Sequence, residues 1–273
     1  MARLPSLAID MRLLDRLSRP KSRNHLAVVF YATDEDYAFA VLVFVHLLRE
    51  LGIRQDADIV ALHLPLNASI VEKMRRLGIR TRLVAPIPGV RIGHYRHCLV
   101  KLRALALTEY ERVLFVDADA IPLKSLDELL SLPFGGSIAA PKAYWLKQPH
   151  WTSAMLVLRP SKALWKRTKR HFGAAYRSNL FDMDLINLEF ASEIQSLPST
   201  VFCLNSEWED ASRPGFFADP VEAYARASVV HFTALGKPWT YPTAEVRRLR
   251  PNAHPLFYES WDKWRRTRDA MFA

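Results

Sequence analysis

The chain has 273 residues, 50% of them hydrophobic, 11% aromatic and 24% charged, a composition that builds one globular domain and excludes intrinsic disorder. The longest apolar run, 37–48, is interrupted by His46 and falls short of the roughly 20 residues needed to cross a bilayer. A net charge of +10 brings nucleic acid and anionic membranes into consideration as partners until the charge is located along the chain.

Residues 1–24 read as a basic segment, amphipathic over 7–17. Asp10, Arg12 and Asp15 break up what would be the apolar core of a secretory signal. Cys98 and Cys203 each lie in an apolar stretch and read as reduced core thiols. A cytoplasmic location is therefore expected, and the sequon at Asn67 is given no role. From residue 25 a single domain continues to 273. Residues 27–33, AVVFYAT, form a continuous apolar run suited to a strand buried on both faces. The pattern then predicts a helix over 37–51 closed by Gly52, a strand over 58–64, a helix over 69–77 stopped by Gly78, and a strand over 80–85. Residues 94–110 have helical spacing at Cys98, Leu102 and Leu105, and 112–116 is a fourth apolar strand. Such alternation predicts βαβ units and a parallel sheet. Ser125-Leu126-Asp127-Glu128 has the form of a capping box opening a short helix. Beyond Pro133 come short runs at 137–140, 153–158, 200–204 and 228–232, the texture of antiparallel edges and functional loops. A basic, aromatic helix over 256–271, with Trp261 and Trp264, closes the chain.

The sharpest feature is RVLFVDADAIPL, residues 112–123. Residues i and i+2 of a strand share a face, so Asp117 and Asp119 can converge at the strand's C-terminal end, the edge where open α/β sheets bind ligands. Carboxylates this close repel unless a proton or cation lies between them. A hard divalent ion, Mg2+ or Mn2+, with phosphate oxygens as further ligands is the natural occupant; a pair of solvated turn aspartates is the plain alternative. In VVHFTALGKPW, residues 229–239, His231 ends another apolar strand, and its imidazole would complete the site and tilt it towards Mn2+. Lys237 follows Gly236, placed to neutralise a phosphate as a point charge. Two enzyme classes fit: transfer from a nucleotide diphosphate, and a Mg2+ phosphatase of the haloacid-dehalogenase type using Asp117 and Asp119. The second expects Thr or Val two residues on, where this chain has Ala120-Ile121, and leaves 229–239 unexplained.

The segments VVFYATDEDYAFAVLV (28–43), KLRALALTEYERVLFVDADAIPLKSLDELL (101–130) and VVHFTALGKPW (229–239) together resemble glycosyltransferase family 8, the group of glycogenin and galactinol synthase. The resemblance implies an α/β GT-A fold: one Rossmann-like domain with a mostly parallel central sheet and antiparallel additions in the C-terminal half. It implies a nucleotide-binding half over about 25–130, an acceptor half over about 131–243, and the closing helix. It further implies a retaining transferase that moves a hexose from UDP-glucose or UDP-galactose with Mn2+ (or Mg2+), onto a small-molecule, glycan or glycolipid acceptor. Family members are often dimers, which leaves a homodimer open.

Carried onto this sequence, the resemblance makes Asp117, Asp119 and His231 the metal ligands, with Ala118 between the aspartates. Tyr31, Ala32, Thr33 and Asp34 fall where the family holds uracil and ribose, with Tyr37 just beyond as a stacking partner or, equally, a core aromatic. Lys101 matches the lysine at the nucleotide-sugar site, and Gly236-Lys237 the diphosphate turn. Phe181-Asp182-Met183-Asp184-Leu185-Ile186-Asn187 matches the segment beside the donor sugar, giving Asp182 and Lys101 catalytic roles; Asp182 and Asp184 could also cap the helix that follows. Departures are Thr152-Ser153-Ala154 where the family has Asn-x-Gly, placing Ser153 at the donor, and Met183 where it has Gln. Without that Gln, a front-face mechanism is expected, with a covalent intermediate on Asp182 as the alternative. The absence of tyrosine between Tyr176 and Tyr224 argues against self-glucosylation. Residues 1–25 hold six Arg or Lys against two acids, and 244–273 seven against four, leaving 25 against 22 over 26–243. A non-enzymatic binder of nucleic acid or membrane would have to use those ends. The nearly neutral body points to no nucleic-acid partner, and to diphosphate binding by a metal and a few placed lysines.

Overall fold

Leu26–Ala32 (β1) buries six of its seven side chains because parallel strands cover both its edges. Ala57–His63 (β2), itself joined by Arg80–Leu83 (β3), lies on one side and Arg112–Val116 (β4) on the other. Its side chains alternate between two apolar clusters, one on each face of the sheet. Val28, Phe30 and Ala32 face one, Ala27, Val29 and Tyr31 the other. The strands match those expected to within a residue or two. The computed structural model describes residues 24–88, 93–213 and 215–272, so the basic amphipathic segment expected over 1–24 lies, Asn24 apart, outside the described residues.

Glu35–Glu50 (α1) packs on the first of those faces with nine buried side chains. It begins two residues before the apolar pattern does, because Asp34 caps it by accepting the Tyr37 N–H at 3.0 Å. Ala68–Arg76 (α2) is capped by Asn67, which accepts the Ser69 N–H at 2.9 Å, so the sequon asparagine has a structural use. The segment with helical spacing after β3 is a run of 3-10 turns over Gly93–Ala106, not an α-helix. Leu99 and Val100 are buried along with Cys98, Leu102 and Leu105, so no single face is polar. In 3-10 turns positions i and i+3 line up, which sets Lys101 in one row with Cys98 and Ala104.

After β4 the chain enters Ala120–Pro122 (β5) and then Asp127–Ser131 (α3). The expected capping box does not form. The Ser125 hydroxyl accepts from the Asp127 N–H at 3.3 Å, one residue short of the box pattern, and the Asp127 carboxylate is taken by the Arg54 N–H at 3.1 Å. Ile138–Pro141 (β6), Met155–Leu158 (β7) and Gln195–Leu197 (β8) extend the main sheet to the order β3-β2-β1-β4-β7-β6-β8. β7 runs antiparallel to both β4 and β6, while β8 is parallel to β6. A second sheet joins β5, Phe202–Leu204 (β9) and Val229–His231 (β10) in the order β5-β10-β9. The helices between these strands are short, and Asp182–Phe190 (α4) among them follows the Phe181 segment. The closing helix, Pro255–Phe272 (α5), buries Trp261 and Trp264 and meets α1 through a T-shaped Phe39–Phe272 contact at 5.0 Å. No described helix is long and apolar enough to cross a membrane.

Candidate active site

Two backbone hydrogen bonds fix the orientation of the aspartates. The Asp117 N–H donates to the Ala154 carbonyl at 2.8 Å, extending the β4–β7 ladder, and the Phe232 N–H donates to the Asp119 carbonyl at 2.9 Å, extending β5–β10. The chain thus steps from one sheet to the other across three residues. Ala118 in the middle is fully buried in the core, which leaves the two flanking carboxylates on the other side. Asp117, Asp119 and His231 each offer a ligand atom within 4.8 Å of the others.

Cations meet these carboxylates on specific oxygens. Lys237 Nζ lies 2.5 Å from Asp119 Oδ2, and His231 Nε2 3.1 Å from Asp119 Oδ1. Lys101 Nζ donates to Asp117 Oδ2 at 2.8 Å and reaches Asp182 Oδ2 at 3.0 Å. All three carboxylates and Lys101 are buried. Burial pushes Asp117 up to about 6, against the pull of Lys101. Asp119 has the same burial, yet His231 and Lys237 hold it well below the usual carboxylate range. Burial also opposes the Lys101 charge, but Asp117 and Asp182 keep its ammonium protonated far above the ordinary lysine value. Asp117 Oδ1 and His231 Nδ1 are buried without a hydrogen-bond partner among the described residues, and such an orphan oxygen costs on the order of 1–3 kcal/mol. Two carboxylate oxygens, an imidazole and one unused carboxylate lone pair fit Mn2+ or Mg2+ with coordination positions left over.

The remaining expected residues divide into those brought to this cluster and those held at its edge. The Tyr31 ring lies 5.2 Å below Lys101 Nζ and 6.2 Å from Tyr37. Burial, then the neighbouring aspartates, raise both phenols, which stay neutral. Ser153 donates to Asp182 Oδ2 at 2.5 Å. Thr33 and Asp34 are occupied with the α1 cap, where Thr33 Oγ1 donates to Asp34 Oδ2 at 3.2 Å, and the Ala32 side chain is in the core while its carbonyl accepts from Leu64 N–H at 3.1 Å. The capping role open to both acids of the Phe181 segment falls to Asp184, whose Oδ2 accepts the Phe181 N–H at 2.8 Å. That leaves Asp182 to Lys101 and Ser153. Met183 is half-buried and contributes its carbonyl to Asn187 Nδ2 at 2.8 Å. Asn187 also grips Trp151 by both its N–H and its carbonyl, each at 2.8 Å, and so ties the Ser153 loop to α4. Gly236 has φ +83 and Leu235 φ +59, the left-handed pair that turns Lys237 back towards Asp119.

No family model matches the chain. Glucose N-acetyltransferase 1 of Aspergillus fumigatus is 34% identical over 161 residues, 52% of this chain and 42% of that protein. Galactinol synthase 5 of Arabidopsis thaliana is 22% identical over 278 residues, 86% of this chain and 80% of that protein. Among solved structures, the galactosyltransferase LgtC in complex with donor and acceptor sugar analogues matches with a TM-score of 0.65 at 16% identity, covering 89% of this chain and 95% of that one. The chain is thus similar to glycosyltransferases of the group of galactinol synthase and glycogenin. It has the GT-A fold, as the resemblance of 28–43, 101–130 and 229–239 implied. It spans about half the length, or less, of the glucose N-acetyltransferases it matches. Two residues of this GT-A site had no role in the sequence reading. Trp239 packs 5.3 Å from Tyr37 and 5.7 Å from Trp264, and an aromatic beside Lys-Pro is its only local signal. Arg265 Nη1 donates to the carbonyls of Pro238 at 3.0 Å and Tyr241 at 2.8 Å, contacts across more than 20 residues that no local pattern announces.

Proposed function

We propose that the chain is a retaining hexosyltransferase that moves a sugar from UDP-glucose or UDP-galactose to a hydroxyl acceptor, with Mn2+ held by Asp117, Asp119 and His231. The observation that carries this reading is the three-donor cluster with its unpartnered Asp117 Oδ1, flanked by Lys101 and Lys237. The ion would supply Lewis-acid stabilisation of a departing diphosphate. Lys237 adds a point charge for the same phosphates, and Tyr31, Tyr37 and Trp239 give the base an aromatic wall. Asp182, its Oδ2 held by Lys101 and Ser153, is the carboxylate offered to a sugar hydroxyl. The ammonium of Lys101 and the Ser153 hydroxyl disperse the charge of Asp182 and so weaken it as a nucleophile, and the Met183 side chain offers no nucleophile at all. Both facts favour front-face transfer, in which the leaving diphosphate accepts the proton of the incoming hydroxyl.

Trp145, Glu207, Arg213 and Phe216 of the acceptor half, with Asn252 beyond it, line a cavity of about 600 Å3, and aromatic rings beside hydrogen-bonding groups suit a sugar or polyol. The phosphatase reading gives no task to His231 or Lys237, both of which contact Asp119. Acetyl transfer, the activity in the name of the Aspergillus relative, gives none to a divalent-metal donor set. Both cysteines are free and buried, in keeping with the cytoplasmic location that goes with this reading. Calorimetry of UDP with and without Mn2+ tests the proposal. UDP binding that needs Mn2+ and disappears in Asp119→Ala is expected; binding indifferent to the metal, or to that substitution, sinks it. Mn2+-dependent hydrolysis across a panel of UDP-sugars then identifies the donor.

A further inference from the structure

Asn205 follows β9 directly, and in the register of β9 with β10 its neighbour Leu204 lies opposite His231. Its side chain is fully buried, and a buried amide must find partners for both its ends. Oδ1 accepts the N–H groups of two consecutive residues, Thr233 at 2.8 Å and Ala234 at 2.9 Å, with Thr233 Oγ1 at 3.4 Å. Nδ2 faces the Ala234 carbonyl at 3.5 Å. Aiming two successive amides at one oxygen requires the backbone to curl around it, and the left-handed Leu235 and Gly236 complete the reversal. Lys237 Nζ then donates back to the Phe232 carbonyl at 2.7 Å. The turn so closed begins at His231 and ends at Lys237, and its two ends touch the two oxygens of one carboxylate, Asp119.

We infer that Asn205 is a positioning residue, the peg around which residues 231–237 are wound so that the metal-side imidazole and the phosphate-side ammonium are set against Asp119 together. The inference rests on the proposed roles of Asp119, His231 and Lys237, but the peg itself can be examined without them. Aspartate in this place would turn a carboxylate oxygen on the Ala234 carbonyl, and serine would not reach both amides, so the requirement is for an amide.

The experiment is amide hydrogen exchange by NMR on the unsubstituted chain and on Asn205→Ala, with UDP calorimetry in Mn2+ on the same samples. In the unsubstituted chain the Thr233 and Ala234 amides exchange slowly although they lie outside any strand; fast exchange there overturns the inference with no variant needed. In Asn205→Ala those two amides lose protection by at least about tenfold while Val28 and Val29 in β1 keep theirs, which separates a local release from a failure to fold. The affinity for UDP in Mn2+ falls by about tenfold to thirtyfold, the scale of two hydrogen bonds. Affinity unchanged in a variant whose loop has lost protection overturns the positioning role. If the unsubstituted chain binds no UDP in Mn2+, the proposed function fails, while the exchange result still decides whether Asn205 is the peg.

Discussion

Two nearly buried aspartate sites stand at opposite ends of the main sheet, and they are wired differently. At the start of β2, Asp58 accepts from Asn24 Nδ2 on one oxygen and from the Tyr110 hydroxyl on the other, each at 2.8 Å, with Arg80 at 3.2 Å. At the end of β4, Asp117 has Lys101 on one oxygen and, among the described residues, no partner on the other. Burial is similar, but saturation is not. A carboxylate with donors on both oxygens holds a fold together, whereas one left half-answered carries a standing cost that a ligand can relieve. The second kind lies at the end of the sheet that holds the candidate site.

Asp117→Asn should break this comparison most sharply. Mn2+-dependent UDP binding is expected to weaken by more than about a hundredfold, while thermal melts in chelator show stability unchanged or raised by about 1 kcal/mol, since a buried charge has been removed. Asp58→Ala should do the reverse. Three donors lose their acceptor, and stability is expected to fall by about 3 kcal/mol by denaturant titration, with UDP affinity of the folded protein intact.

The effect of pH follows from Asp117 at about 6, above the roughly 3.9 of an unfolded chain. Between those values the folded protein holds a proton that the unfolded one has lost, so the metal-free protein gains stability as pH falls from 6 towards 4 and loses it as pH rises through 6. Asp119 is shifted the other way; its contribution is complete above the unfolded value and disappears only in stronger acid. On the proposed ligand set Mn2+ displaces the Asp117 proton, so metal-dependent UDP affinity is expected to drop about tenfold per pH unit below 6, read by calorimetry from about pH 7.5 to about pH 5. The smallest expected effect is that of Tyr110→Phe, which removes one of the hydrogen bonds on Asp58. It should cost about 1 kcal/mol and leave the pH profile of UDP binding untouched.

The sequence disclosed what repeats on a short period and hid what depends on contacts far along the chain. β1, β2 and β4 were legible because strands covered on both edges and faces must be continuous apolar runs. Asp117 and Asp119 were legible because strand alternation alone puts i and i+2 together. The 3-10 run at Gly93–Ala106 differs from the helix expected because apolar residues at Cys98, Leu102 and Leu105 satisfy the α period as well, while Leu99 and Val100 are buried in the same cluster with them. The capping box at Ser125 did not form because the Ser125 hydroxyl takes the N–H of Asp127 in place of that of Glu128, while Arg54, some 70 residues upstream, holds the Asp127 carboxylate. β5 and β8, three residues each, are too short for any periodicity and exist through their partners. Asp182 could not be separated from Asp184 by spacing, and it took Lys101 and Ser153 to assign one to the site and the other to the cap.

The grip of Arg265 and Trp261 on the backbone after Lys237 has a consequence in time as well as in space. Trp261 Nε1 donates to the Tyr241 carbonyl at 3.0 Å, beside the bonds from Arg265, so α5 is the wall against which the phosphate-side turn is set. Tyr31, at the other side of that space, is among the first described residues to be synthesised. Of the described elements α5 is the last to be synthesised, so on the proposed reading the chain acquires nucleotide affinity only when α5 has emerged and docked. A product that stopped before Pro255 would carry all three proposed metal ligands and still lack the α5 contacts that hold the backbone after Lys237.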